Sequence, residues 1–303
     1  MDATIHTPVL TVGPDAHTLT TIYIFIHGGS RAAIPVHRRA GLIVSENASS
    51  AKLTASRDGR VLRVTITNPA RLNAVDYATM TALGDVFAGA ADDPGVRAIV
   101  ITGEGKAFCT GADLSAISGG VGPEEVMDCA SRLVTSVAES PVPVIARING
   151  PAAGVGVGLA LAADLIYAAE SAYFLLSFTN IGLMPDGGTT ALVAAAAGRA
   201  VANEMALLGE RLSATAARDA GLINAVLGEA ELDARVNEAA EKLAHGPRRA
   251  IELTKRALNA TNLASLDAAL AREKAGQVEL LGSPDFFEGA AAMLQKRKAV
   301  FGE

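Results

Sequence analysis

The sequence has no tryptophan, few aromatic residues (4%) and only two cysteines, Cys109 and Cys129, among 303 residues. Two cysteines make no disulfide framework, so a reducing cytoplasm is the expected compartment. Histidine is scarce as well: His6, His17, His27 and His37 all precede residue 40, and only His245 lies beyond. A histidine base or a histidine-rich metal site would have to recruit the N-terminal segment. There is no excess of positive charge. The formal net charge is -6, which argues against a nucleic-acid partner. Near the start, the longest apolar stretch, Ile22–Ile26, is far too short to cross a bilayer. No basic segment of the signal-peptide kind precedes it, so a membrane partner is not expected either.

Apolar residues make up 50% of the chain, ample for a large core. Residues 1–50 have no sustained helical period and read as a poorly ordered extension. Their apolar island, IYIFIHGGS (Ile22–Ser30), imitates the strand and oxyanion loop of a hydrolase. Such an enzyme needs a G-x-S-x-G elbow, and the chain contains none. From Ala51 the pattern becomes orderly. KLTASRDGRVLRVTITN reads as a hairpin turning at Asp58-Gly59. A helix is expected from Asp76, its N-cap, to about Ala91. The strand RAIVITG, a helix over Pro123–Glu139, the strand VPVIARI, a helix after Val155 and the strand DLIYAA follow. This alternation predicts an α/β fold with parallel strands and right-handed crossovers. After Thr189 the chain reads as almost wholly helical, with Gly198 and Gly209 as stops. The expected division is a core over 51–245 and a helical region over 246–303.

The run NGPAAGVGVGLALAAD (Asn149–Asp164) could be mistaken for a nucleotide loop. A dinucleotide fingerprint needs a small residue where Leu159 stands and a carboxylate about twenty residues on, yet Phe174–Asn180 holds no carboxylate. The Gly-Lys-Ser/Thr of a phosphate loop is also absent. A helix N-terminus with free N–H groups can instead face a developing negative charge, as in an oxyanion hole. GKAFCTGADL (Gly105–Leu114) is the candidate source of a second donor. Taken singly, each loop reads more readily as a packing feature than as a site; their joint occurrence at consecutive strand ends brings the two readings level.

These motifs, together with NPARLNAVD, IGLMPDGGT, LSATAARDAGLINAV and DFFEGAAAMLQKRKAVF, resemble the crotonase (enoyl-CoA hydratase/isomerase) superfamily, closest to the phenylacetate-type enoyl-CoA isomerase branch. The resemblance runs in order from about Ala51 to Phe301. It implies a crotonase-like ββα spiral core with a C-terminal helical trimerisation region. It further implies an acyl-CoA thioester substrate, no cofactor beyond the CoA of that substrate, and homotrimers or dimers of trimers.

Carried over position by position, the resemblance places the two oxyanion-hole N–H groups on Ala112 and Val155, the second commonly a glycine in the family. Arg71, Leu72, Thr110, Gly111, Asp113 and Leu114 fall where the family holds the adenine and pantetheine of CoA. Lys296 falls where a neighbouring subunit often reaches the CoA phosphates; on the residues alone it is a solvated helix lysine. Hydratases of the family split water with two glutamates, and Gly158 and Phe178 stand at those positions, so ordinary hydration is not expected. Asp186 has a bland reading as N-cap of the helix beginning near Gly188. In the family, an aspartate here occurs in enoyl-CoA isomerases and aryl-CoA dehalogenases. A dehalogenase would also use a histidine after Leu114, and none occurs through Arg132.

The expected activity is therefore double-bond migration with Asp186 as proton shuttle. Phe174, Phe178, Leu183 and Met184 would exclude water, and burial would raise the Asp186 pKa against the pull of the helix N-terminus. A non-catalytic CoA-thioester binder, a hydratase and a dehalogenase are the alternatives. Cys109 as a nucleophile is weaker still, since a small buried thiol explains it.

Overall fold

The computed structural model describes residues 21–23, 33–35, 51–113 and 120–302. Leu114 and most of the N-terminal extension, including the hydrolase-like island after Tyr23, lie outside them. Within Met1–Leu42, two three-residue strands, β1 (Thr21–Tyr23) and β2 (Ala33–Pro35), pair antiparallel.

Ile43–Glu303 forms a unit of its own. It opens with the expected hairpin, β3 (Leu53–Asp58) and β4 (Val61–Ile66). Helix α1 (Tyr77–Asp92) follows, and the Asp76 carboxylate accepts from the Thr79 amide at 2.8 Å as its N-cap. Then come β5 (Ala98–Gly103), α2 (Pro123–Ala138), β6 (Val144–Ile148), β7 (Ala152–Ala153), α3 (Val155–Leu161), β8 (Leu165–Ala169) and β9 (Tyr173–Leu175). The remainder is α4 (Thr189–Leu208), β10 (Arg211–Ser213), α5 (Ala214–Asp219), β11 (Ala225–Leu227), α6 (Glu229–His245), α7 (Arg248–Asn262), α8 (Leu266–Leu280) and α9 (Pro284–Leu294).

The large sheet has the order β11-β8-β6-β5-β4-β3 and is parallel everywhere except the β3–β4 hairpin. A small sheet, β10-β9-β7, lies apart from it. Successive segments alternate between the two: β6 is followed by β7, β8 by β9, and β5 by Cys109, which bridges to Ala152. Each strand pair then leads into a helix, so the chain winds as repeated ββα units. Both faces of the large sheet are covered. One packs on α1, α2 and α3 through Leu83, Phe87, Leu133 and Val157; the other packs on α6 through Leu232, Val236, Ala239 and Ala240. Double coverage explains why β5 reads AIVITG, an almost unbroken apolar run.

One expectation changes. The chain after Thr189 is not wholly helical, because β10 and β11 return to the two sheets. Strands of three residues are too short for a period to declare itself. Gly198 breaks the helical run as expected: its φ of 79° and ψ of 171° are non-helical, and α4 resumes past this kink to end at Gly209. Among the described residues α4 alone is long and apolar enough to cross a bilayer, a test that the core helices of globular proteins also meet.

Asp164 proves to be structural. Its carboxylate accepts from the Val144 amide at 2.7 Å and pairs with Lys255 Nζ at 2.9 Å, while Lys255 also donates to Val137 O. Desolvation dominates both groups, raising the pKa of Asp164 and lowering that of Lys255 against their mutual attraction. Removing one partner strands the other. Lys255→Ala is expected to lower stability by about 3–5 kcal/mol, measurable by urea denaturation.

Candidate active site

The first loop is built by two asparagines. Asn73 Nδ2 donates to the carbonyls of Glu104 (2.9 Å) and Ala107 (2.7 Å), and its Oδ1 accepts from the Asn68 amide. Asn149 Nδ2 donates to Gly105 O and Ala107 O, while its Oδ1 accepts from the Gly103 amide. Held this way, the chain after β5 runs beside Val75: the Val75 amide donates to Gly111 O and the Asp113 amide to Val75 O, both at 2.9 Å. The Thr110 hydroxyl donates to Leu72 O at 3.1 Å, which brings the Arg71-Leu72 segment against the same loop.

The glycine run of α3 works by close approach. A Cβ on Gly156 would stand 2.2 Å from Cys109 O, and one on Gly158 2.1 Å from Gly187 O. The helix is thus wedged between the first loop and the Asp186 turn, with no room for side chains at either contact. Its N-terminus abuts the first loop at Gly111 and Gly154. Among the described residues, no carbonyl or side chain accepts from the Ala112 or Val155 amide.

The third component is the turn Pro185-Asp186-Gly187-Gly188. Gly187 (φ 62°) and Gly188 (φ 75°) are both left-handed, a succession that favours glycine twice over. The bland reading of Asp186 as a cap does not hold. Gly188 is the N-cap residue, and Asp186 meets α4 only through its carbonyl, which accepts from the Thr189 amide and hydroxyl. The exposed amides of α4 are served from α8 by Glu273, which accepts from Gly188 N at 2.7 Å and Thr190 N at 2.9 Å. The Asp186 carboxyl is left facing the cleft, with Oδ2 accepting from Gln277 Nε2 at 2.6 Å. Partly open to the cleft but densely surrounded, it has its pKa pushed up from 3.8 to about 7. Desolvation is the main cause, the nearby Glu273 charge adds to it, and the Gln277 hydrogen bond opposes it.

The three components converge on a cavity of about 490 Å³. Its wall is mostly apolar, with Met80, Met127, Leu183 and Phe286 beside Phe178. Of the residues singled out in the sequence, Arg71, Thr110, Gly111, Ala112, Asp113, Val155, Phe178 and Asp186 all line it. Leu72 stands at the edge, 48% exposed, and Lys296 lies past α9, exposed and outside the wall. Phe174 and Met184 do not line it. Phe174 is wholly buried in the core, and Met184 Sδ packs against Gly276, where a Cβ would stand only 2.1 Å away. Cys109 is buried and its pKa is pushed up to about 11, which suits packing better than attack. Sequence reasoning missed Glu273, Gln277 and the wall supplied by Phe286, Phe287 and Leu294. The available signal was two polar residues four apart on α8, on the face that also buries Leu266 and Leu270.

The family model for enoyl-CoA hydratase/isomerase matches residues 56–303. The chain belongs to the enoyl-CoA hydratase/isomerase family. It is 39% identical over 240 residues to a probable enoyl-CoA hydratase of Rhodobacter capsulatus, covering 78% of this chain and 93% of that one. It is 36% identical over 247 residues to the 1,2-epoxyphenylacetyl-CoA isomerase of Escherichia coli, covering 80% and 94%. Among solved structures, an enoyl-CoA hydratase from Mycobacterium avium subsp. paratuberculosis superposes with a TM-score of 0.78 at 45% identity, covering 84% of this chain and 99% of the other. The alternating two-sheet winding is accordingly the crotonase fold of the family, closed by C-terminal helices, and the chain is an acyl-CoA enzyme.

Proposed function

We propose that this member of the family is an enoyl-CoA isomerase, with Asp186 moving one proton between C2 and C4 of an enoyl thioester. The observation that carries the reading is the Asp186 carboxyl, held by Gln277 and facing a mostly apolar cleft, where burial pushes its pKa up to about 7. A pKa near neutrality lets one group both accept and return a proton. The Ala112 and Val155 amides would donate to the thioester oxygen. Asp186 removes a proton from C2 of a 3-enoyl-CoA, and the electron pair moves into the adjacent thioester carbonyl, giving an oxyanion conjugated with the C3–C4 double bond. Collapse of the dienolate takes the proton back from Asp186 at C4, giving the 2-enoyl product with no net gain or loss of atoms. One such donor contributes roughly 3–4 kcal/mol to a forming oxyanion. The likeness to the Escherichia coli isomerase supports this assignment. The relatives called hydratases pull the other way, but Gly158 and Phe178 supply no carboxylate.

The same reading has Arg71, Leu72, Thr110, Gly111, Asp113 and Leu114 flank the CoA. It has Lys296 reach the CoA phosphates of a neighbouring copy within a homotrimer or dimer of trimers. No cofactor is needed beyond the substrate's own CoA, and the free thiols Cys109 and Cys129 fit a cytoplasmic setting.

Incubation with a 3-enoyl-CoA in D₂O, followed by NMR, tests the reading. Formation of the 2-enoyl isomer is the expected result. A 3-hydroxyacyl product would make the protein a hydratase. Tight binding with neither conversion nor deuterium exchange would make it a non-catalytic thioester binder.

A further inference from the structure

Resting on the reading of Asp186 as proton shuttle, we infer that Gln277 is its positioning residue: the side-chain amide holds Oδ2, leaves Oδ1 to carry the substrate proton, and turns over when the free enzyme takes up a proton. Two features of α8 lead there. Glu273 binds the backbone amides of Gly188 and Thr190, while Gln277, one helical turn on, binds the Asp186 carboxylate itself. Gly276, between them, admits the Met184 side chain. One rigid helix therefore grips the segment from Met184 to Thr190 by main chain, side chain and packing. The carboxylate has little freedom to rotate.

The second feature is an imbalance. Gln277 is only 2% exposed, and its Oε1 has no partner among the described residues. A buried acceptor without a donor is costly, and native proteins rarely keep one without a reason. Oxygen and nitrogen of an amide are nearly equal in size, so a half-turn of the terminal amide exchanges their positions. Oε1 then occupies the place of Nε2, within hydrogen-bond reach of Oδ2. That arrangement fits a protonated Asp186 whose Oδ2–H donates to Oε1; the terminal amide can thus pair with the carboxyl in either protonation state, its other polar atom standing at the unpartnered position each time. Below the pKa of the free enzyme the proton is parked on Oδ2, away from the substrate. Above it, Nε2 donates to the carboxylate and Oδ1 faces the cleft. During turnover the proton sits on Oδ1, and the same Nε2–H···Oδ2 bond persists.

The charge facing this turn from α8 is that of Glu273. Helix α3 meets the turn through Val155 and Gly158 and brings no ionisable group, and α4 presents Thr189 and Thr190. Arg71 and Asp113 are the other charged residues of the cleft wall.

Three measurements decide the matter. Gln277→Met keeps length and volume but removes the amide; kcat for 3-enoyl-CoA isomerisation should fall about 10²-fold, the cost of a mispositioned reacting group, with KM little changed. Its acidic limb in kcat/KM should move to higher pH, because the charge-assisted bond lost from the ionised form is stronger than the neutral bond lost from the protonated form. Glu273→Gln should move that limb to lower pH, because a neighbouring negative charge is gone. In the wild-type protein, NMR should find the Gln277 side-chain amide titrating with the same midpoint as the Asp186 carboxyl carbon. An unmoved acidic limb in Gln277→Met, whether or not rate is lost, would overturn the inference. So would a Gln277 amide that ignores the Asp186 titration, a result obtainable even if the variant does not fold. Joint titration in a wild-type protein that isomerises nothing would leave the amide coupling standing and remove the assigned reaction instead.

Discussion

Asp186→Asn is expected to lower kcat for double-bond migration by about 10³-fold or more, the scale of a lost general acid–base, while acyl-CoA affinity stays within a few-fold by calorimetry. The asparagine can still accept from Gln277 and fills the same volume, so the site keeps its shape and loses only the titrating proton. A second signature sets this residue apart from an ordinary surface acid. The pKa of Asp186 is raised in the folded state, from 3.8 to about 7. The folded protein therefore binds more protons than the unfolded chain between those values, and stability falls as pH rises through that window. Asparagine removes the liability. At pH 8 the variant should be more stable than wild type by roughly 2–4 kcal/mol, allowing for the carboxyl's partial opening to the cleft. Near pH 4 the two should be indistinguishable. Denaturant titrations at both pH values, beside the activity assay, check the pair of effects. Retained turnover would remove the proposed mechanism, and equal stability at pH 8 would mean that Asp186 is well solvated.

Much of the site was legible in the sequence because it is built from backbone. The glycines of the first loop and of α3 are required by turns and close approaches of backbone, and such requirements leave recognisable short motifs; Asn73 and Asn149 sit in such motifs although the carbonyls they bind lie on another segment. The hairpin at Asp58-Gly59, the Asp76 cap and the strand AIVITG were legible for the same reason, each being decided within a few residues. Two kinds of feature were not. Strands β10 and β11 exist only because partners elsewhere in the chain receive them. Glu273 and Gln277 are ninety residues or so from the turn they serve, and nothing in AREKAGQVEL says what its buried polar face meets. Phe174 and Met184 were misplaced for a related reason: proximity along the chain to Phe178 and Leu183 does not decide which side chains face the cavity and which face the core.

Gly158→Ala is expected to be severely disruptive, although alanine normally favours a helix by about 1 kcal/mol over glycine. An ideal Cβ there would stand 2.1 Å from Gly187 O, 3.0 Å from its carbonyl carbon and 3.4 Å from its Cα. The obstacle is main chain, which cannot turn aside as a side-chain tip can. Relief requires moving the turn that carries Asp186, so stability should fall by about 2–3 kcal/mol, the scale of an overpacked core, and isomerase activity should fall about 10²-fold as the acid is displaced. Gly89→Ala, on the exposed face of α1 with nothing within 4 Å of its Cβ position, is the control and should be neutral or slightly stabilising. Thermal melts and rates of the two variants make the comparison. The same geometry bears on the family resemblance, in which position 158 belongs to one of the two hydratase glutamates. Here the Asp186 turn lies in the space that a side chain at 158 would need. The two acids are thus alternatives: a glutamate at 158 cannot be added while Gly187 stays where it is. The double variant Gly158→Glu/Phe178→Glu should therefore lose folding or isomerase activity without gaining hydration. A well-folded double variant that hydrates a 2-enoyl-CoA would show that the turn can yield, and that the choice of acid is not built into the packing of α3.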